Sequence, residues 1–186
     1  PTEALTHTHL SCLLNAMIGN NLDYTEIKEV KVTCFAQAYD ILFDPTKYRP
    51  ESRETADHSL PYCMAAAMVD KKITTESFSD EKLNDPRIFE VIDKIKGEPS
   101  QEFEKMFPAK QPSRVVVTTN NGQEFSEYLE YPKGDPREPM TMDDLENKFN
   151  SLAGDKFDSN EKKQLQEKIL NCEDMSAREF MENLNV

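Results

Sequence analysis

The chain has 186 residues, a net charge of -13 from 35 acidic and 22 basic side chains, 37% hydrophobic and 31% charged residues. That composition suits a globular chain of about one domain or slightly more. It argues against a general nucleic-acid binder, which needs a net basic footprint, but not against a small anionic ligand, because a pocket can be positive on an acidic protein.

The chain starts at Pro1 without methionine, so it is expected to be a piece or a processed product of a longer protein. "PTEALTHTHL" has no basic region followed by an apolar one, so it does not read as a signal peptide. No apolar run approaches the roughly 20 residues of a membrane span. Cys12, Cys34, Cys63 and Cys172 form no C-x-x-C pair. They are expected to be reduced thiols of an intracellular protein, not a zinc site or disulfide framework.

Leu10, Leu13, Leu14, Met17 and Ile18 fall on one helical face, and Gly19-Asn20-Asn21 stops that helix. From Val30 the apolar residues Val32, Cys34, Ala36 and Ala38 alternate with period two, which predicts one half-buried strand. "FDPTKYRPESRE" reads as a loop. In the next segment Asp57 reads as an N-cap, with Pro61 in the first turn and Leu60, Met64, Ala67 and Met68 on one face. A short helix near Glu81 and a second over 85–96, carrying Ile88, Val91, Ile92 and Ile95, follow, and then a turn-rich connection from Gly97 to Ser113.

"RVVVTTNNGQEFSEYLEYP" reads as a hairpin, with Asn121-Gly122 as a type I′ turn. Beyond Thr141 three short helices are expected, with capping-box spacing at Asp158/Glu161 and Ser176/Glu179 and a weaker version at Thr141/Asp144. Their apolar residues are too sparse for an independent domain. The expected class is α+β: a unit of about 135 residues with a mostly antiparallel sheet and packed helices, followed by a short helical tail.

Three histidines are present, His7, His9 and His58. His7 and His9 are spaced i, i+2, which on a helix points them apart and disfavours a shared metal; at least one reads as a solvated helix-start residue. His58 has two readings. Beside an N-cap, the helix dipole would keep its ring neutral as a base, and the free N–H groups with Ser59 would favour a carboxylate, with Arg49, Arg53, Lys71 and Lys72 adding positive charge. In the other, Asp57 caps a helix and His58 is merely solvated. Cys63 reads as a packing residue. No nucleophile elbow, phosphate loop or dinucleotide fingerprint is present.

Three stretches in order, "PTEALTHTHL", "ADHSLPYCMAAAMVDKKIT" and "VVVTTNNGQEFSEYLEYPKGDPREPMTMDDLENKF", resemble the C-terminal part of the MmgE/PrpD family, which includes 2-methylcitrate dehydratases, cis-aconitate decarboxylases and iminodisuccinate epimerases. The resemblance covers nearly the whole chain. One departure is Lys71, where the family usually has glycine; it suggests a different turn after the helix. The resemblance implies a small lid-type domain over 1–138, inserted in a helical body whose N-terminal part is absent here, and a helical tail over 139–186 that returns to that body. It implies a lyase or isomerase acting on small di- or tricarboxylates without metal or cofactor, and a cytoplasmic or mitochondrial-matrix homodimer with no nucleic-acid or membrane partner. It places His7 as the first proton-transfer residue and His58 as the second, with Ser59, Arg53 and Tyr62 as substrate-binding candidates. Alone, this chain is expected to be inactive. The alternative is a non-catalytic α+β interaction module.

Overall fold

A computed structural model of the chain describes residues 1–184. They form two compact units, Pro1–Pro139 and the described residues from Met140 onward. The first is α+β. Its helices are α1 (His7–Gly19), α2 (Ala36–Leu42), α3 (Arg53–Asp57), α4 (Leu60–Asp70), α5 (Asp80–Leu83), α6 (Pro86–Ile92) and α7 (Gln101–Met106), and its strands are β1 (Ile27–Cys34), β2 (Ile95–Pro99), β3 (Ser113–Thr119) and β4 (Glu124–Leu129). The sheet order is β2-β1-β3-β4. β1 runs parallel to β2 and antiparallel to β3, which pairs antiparallel with β4.

One sheet face carries the core. Val30, Val32, Val115 and Val117 are buried on it, and β1 and β3 alternate buried with exposed positions as a half-covered sheet requires. α1 packs on β3 and β4, and α4 packs on α1, β2 and α6. α4 is buried on all sides from Leu60 to Met68, and its Ala65-Ala66-Ala67 run lets neighbouring elements approach closely.

Several elements differ from the sequence expectation. The alternating run past Val30 is not one strand: β1 ends at Cys34, Phe35 is extended (φ −75°, ψ 156°), and Ala36–Leu42 is α2. Period-two alternation across Cys34, Ala36 and Ala38 hid a change of element, because small residues suit both. The helix expected over 85–96 stops at Ile92, and Ile95 opens β2, whose register on β1 pairs Val30 with Ile95. The open edge of β1 supplies ladder partners that no local pattern reveals. The turn-rich connection holds the end of β2 and α7.

The hairpin is present, but its loop is Asn120–Gly122. Gly122 N–H donates to the Thr119 carbonyl at 2.9 Å and Thr119 N–H to the Gln123 carbonyl at 2.9 Å. Gly122 has φ +85°, whereas Asn21 and Lys71 are the positive-φ non-glycines among the described residues. Asn121 is therefore not in the left-handed region that a type I′ turn demands; the geometry is a three-residue loop with glycine closing a bulge.

The second unit holds α8 (Met142–Ala153), α9 (Ser159–Leu170) and α10 (Ala177–Leu184). Both expected strong caps form: Asp158 Oδ1 accepts from Glu161 N–H, and Ser176 Oγ from Glu179 N–H. Thr141 and Asp144 make a full capping box as well. None of the described residues of α8 and α9 is buried. Met142, Leu145, Phe149, Ile169 and Leu170 line an open groove of about 310 Å³ between those two helices.

Candidate active site

The start of α1 is built by a short 3-10 turn over Ala4–Thr6. Glu3 caps that turn, its Oε2 accepting from Leu5 N–H at 2.8 Å. His7 is the first residue of α1 and is exposed; its Nε2 lies 3.3 Å from the Thr2 carbonyl oxygen. His9 points the other way. It is fully buried, and its Nδ1 meets Ser113 Oγ on β3 at 2.6 Å. Burial without a charged partner pushes its pKa down to about 4, so the ring is neutral near pH 7. His9 Nε2 has no hydrogen-bond partner in the structure. One histidine of "THTH" is thus solvated at the helix start and the other is a core residue. Among the described residues no group of three or more His, Cys, Asp and Glu is arranged to hold a metal ion.

His58 does not open α4. Asp57 is the last residue of α3 and His58 its C-cap (φ −99°, ψ 8°). The N-cap of α4 is Ser59, whose Oγ accepts from Tyr62 N–H at 3.0 Å. The cap thus lies two residues beyond the expected Asp57, since Asp and Ser are nearly equal N-cap formers and residue type alone does not separate them. The helix-dipole argument for His58 therefore does not apply. Instead its Nδ1 lies 2.5 Å from Asp57 Oδ1 and 3.1 Å from the Glu54 carbonyl oxygen, and its side chain is 51% exposed.

The companion residues separate into two groups. Arg53 is the exposed first residue of α3. Ser59 is fully buried, and its hydroxyl is consumed by the cap and by donation to the Lys47 carbonyl at 2.5 Å. Tyr62 is also fully buried; its hydroxyl donates to the Ser77 carbonyl at 2.9 Å, its ring packs on Phe78, and burial raises its phenol pKa. Ser59 and Tyr62 thus hold α4 in place and present no free polar group. Arg49 is likewise occupied: it forks onto Asp93 at 2.7 and 3.2 Å. Cys63 packs in the core, its thiol pKa raised by burial.

Lys71 is the C-cap of α4 in the left-handed region (φ 57°, ψ 18°), which glycine adopts without steric cost. Its ammonium donates to the Leu22 carbonyl, which fastens the turn.

The two exposed histidines stand on segments that are tied together. Glu3 N–H, at the entry to the His7 turn, donates to the carbonyl of Asp57 at 3.0 Å. Sequence reasoning missed the Asp57–His58 contact, although the adjacency of carboxylate and imidazole was its signal.

A family model described as the MmgE/PrpD C-terminal domain matches residues 1–174. The chain belongs to the MmgE/PrpD family. It is 31% identical over 104 residues to the cis-aconitate decarboxylase of Mus musculus, a match covering 56% of this chain and 21% of that protein. It is 28% identical over 124 residues to the cis-aconitate decarboxylase of Aspergillus terreus, covering 66% and 25%, and 28% identical over 126 residues to that of Homo sapiens, covering 68% and 26%. The matched part thus spans between a fifth and about a quarter of the length of these relatives.

Proposed function

We propose that this chain is the lid and C-terminal portion of a carboxylic-acid lyase or epimerase acting on small di- or tricarboxylates, with cis-aconitate as the first substrate to test. The observation that carries the reading is the match over residues 1–174 together with exposed imidazoles at His7 and His58 on fastened segments. Burial of carboxylate substrate against a closing partner would let a nearby imidazole act efficiently as a proton donor or acceptor near neutral pH. In a decarboxylation the C–C bond to the leaving carboxylate breaks, its electron pair stays on the carbon skeleton, and a proton must be delivered to carbon. In a dehydration the base takes the proton next to a carboxylate and hydroxide leaves with a proton as water. His7 is assigned the proton transfer, His58 acts as its partner or as a carboxylate binder, and exposed Arg53 can contribute positive charge. Ser59 and Tyr62 support this site from the core without touching substrate.

The reading carries with it metal-independent chemistry, a homodimeric protein in the cytoplasm or mitochondrial matrix, and a helical body on which the exposed apolar residues of α8 and α9 pack. The test is turnover of cis-aconitate, 2-methylcitrate and iminodisuccinate by the protein at the length the cell makes. Conversion of one of them supports the reading, and failure on all three overturns it.

A further inference from the structure

We propose that Asp57 is a positioning residue for His58, holding the ring with its proton on Nδ1 and presenting an unprotonated Nε2 as the acceptor. Both groups facing Nδ1 are acceptors: the Asp57 carboxylate at 2.5 Å and the Glu54 carbonyl at 3.1 Å. A carboxylate and a carbonyl cannot donate, so Nδ1 supplies the hydrogen in either contact. In the neutral ring Nε2 then carries the lone pair. The side chain is 51% exposed, and an imidazole so placed would be free to turn over if nothing held it. Asp57 is itself held: its side chain is 27% exposed, and its main-chain carbonyl accepts from Glu3 N–H. The arrangement is the carboxylate–imidazole pairing that fixes tautomer and orientation wherever histidine must act as a base. Asp57 is free for this role because Ser59, not Asp57, caps α4.

The base role of Nε2 rests on the function proposed above, but the orientation can be read without any activity. The 186-residue chain, labelled with ¹⁵N at histidine, reports the tautomer of each ring by long-range ¹H–¹⁵N correlation above the pH at which the rings are protonated. The expected result is Nδ1–H for His58 in the native sequence and a shift toward Nε2–H in Asp57→Asn, whose amide can donate to Nδ1. Asp57→Glu should restore the native tautomer. An Nε2–H ring in the native chain would overturn the proposal. So would Asp57→Asn that keeps Nδ1–H, because the Glu54 carbonyl would then be sufficient. Circular dichroism checks that the variant is folded, and if it is not, the native tautomer decides alone. In the full-length protein Asp57→Asn should lower kcat by roughly 10-fold or more with little change in KM, toward the larger losses seen when a base is held in the wrong tautomer. Absence of turnover on every substrate would remove the proposed function and leave the tautomer result standing.

Discussion

The backbone N–H of Glu3 donates to the carbonyl oxygen of Asp57 at 3.0 Å. Glu3 also caps the turn that leads into His7, and Asp57 precedes His58 and contacts its ring. One main-chain bond thus joins the two segments that carry the exposed histidines. Their relative placement follows from the backbone, with no need for the side chains to touch.

His9 makes stability depend on pH. Its pKa is 6.5 in an unfolded chain and about 4 when buried. The unfolded state therefore binds a proton that the folded state refuses as pH falls below 6.5. Stability is at its full value above that pH, declines between 6.5 and about 4, and levels off below. At about 1.4 kcal/mol per pH unit the window is worth about 3 kcal/mol. Urea unfolding at pH 7 and pH 4.5 should show this decline, and His9→Leu should flatten it. An equally steep decline in His9→Leu would assign it to other groups.

Ser113→Ala removes the hydroxyl that meets His9 Nδ1 and leaves a second unpaired nitrogen in the core. The expected loss is about 1–3 kcal/mol, read from the urea midpoint at pH 7. A loss within the error of the midpoint would show that the contact contributes nothing.

Gly97 sits in β2 where an added Cβ would lie 2.6 Å from carbons of the Phe43 ring. Phe43 is buried against the core, so the ring has little room to retreat. Gly97→Ala should cost about 1–3 kcal/mol by overpacking. A neutral effect would mean that the ring shifts without strain.

Lys71 occupies a left-handed position and donates to the Leu22 carbonyl. Lys71→Ala loses the bond and keeps the backbone strain, whereas Lys71→Gly loses the bond and relieves it. The glycine variant should be the more stable of the two by about 1 kcal/mol, measured as a difference in thermal or urea midpoint. Equal stabilities would contradict the backbone argument.

What could be read from the sequence followed locality. α1, the β3–β4 hairpin and the capped tail helices each carry their signals within a few residues, in apolar periodicity, Asn-Gly and Ser/Asp-x-x-Glu. α2 and β2 were not legible. Ala36 and Ala38 fit a strand as well as a helix, and Ile95 continues the helical spacing of Ile88 and Ile92 until β1 recruits it. The same distinction holds in the site. His7 and His58 stand in the motifs, and both are exposed in the structure. Burial of His9 was not, because its partner Ser113 lies 104 residues away on β3. Ser59 and Tyr62 matched the motif but serve the core, since the carbonyls of Lys47 and Ser77 that take their hydroxyls come from other elements.

The most direct measurement is kcat on cis-aconitate for the full-length protein and its His7→Ala variant, with folding verified for both. The account predicts turnover by the native protein and a loss of roughly 10²-fold or more in the variant, the scale a proton-transfer group supplies. Wild-type turnover by folded His7→Ala would contradict the assignment of proton transfer to His7.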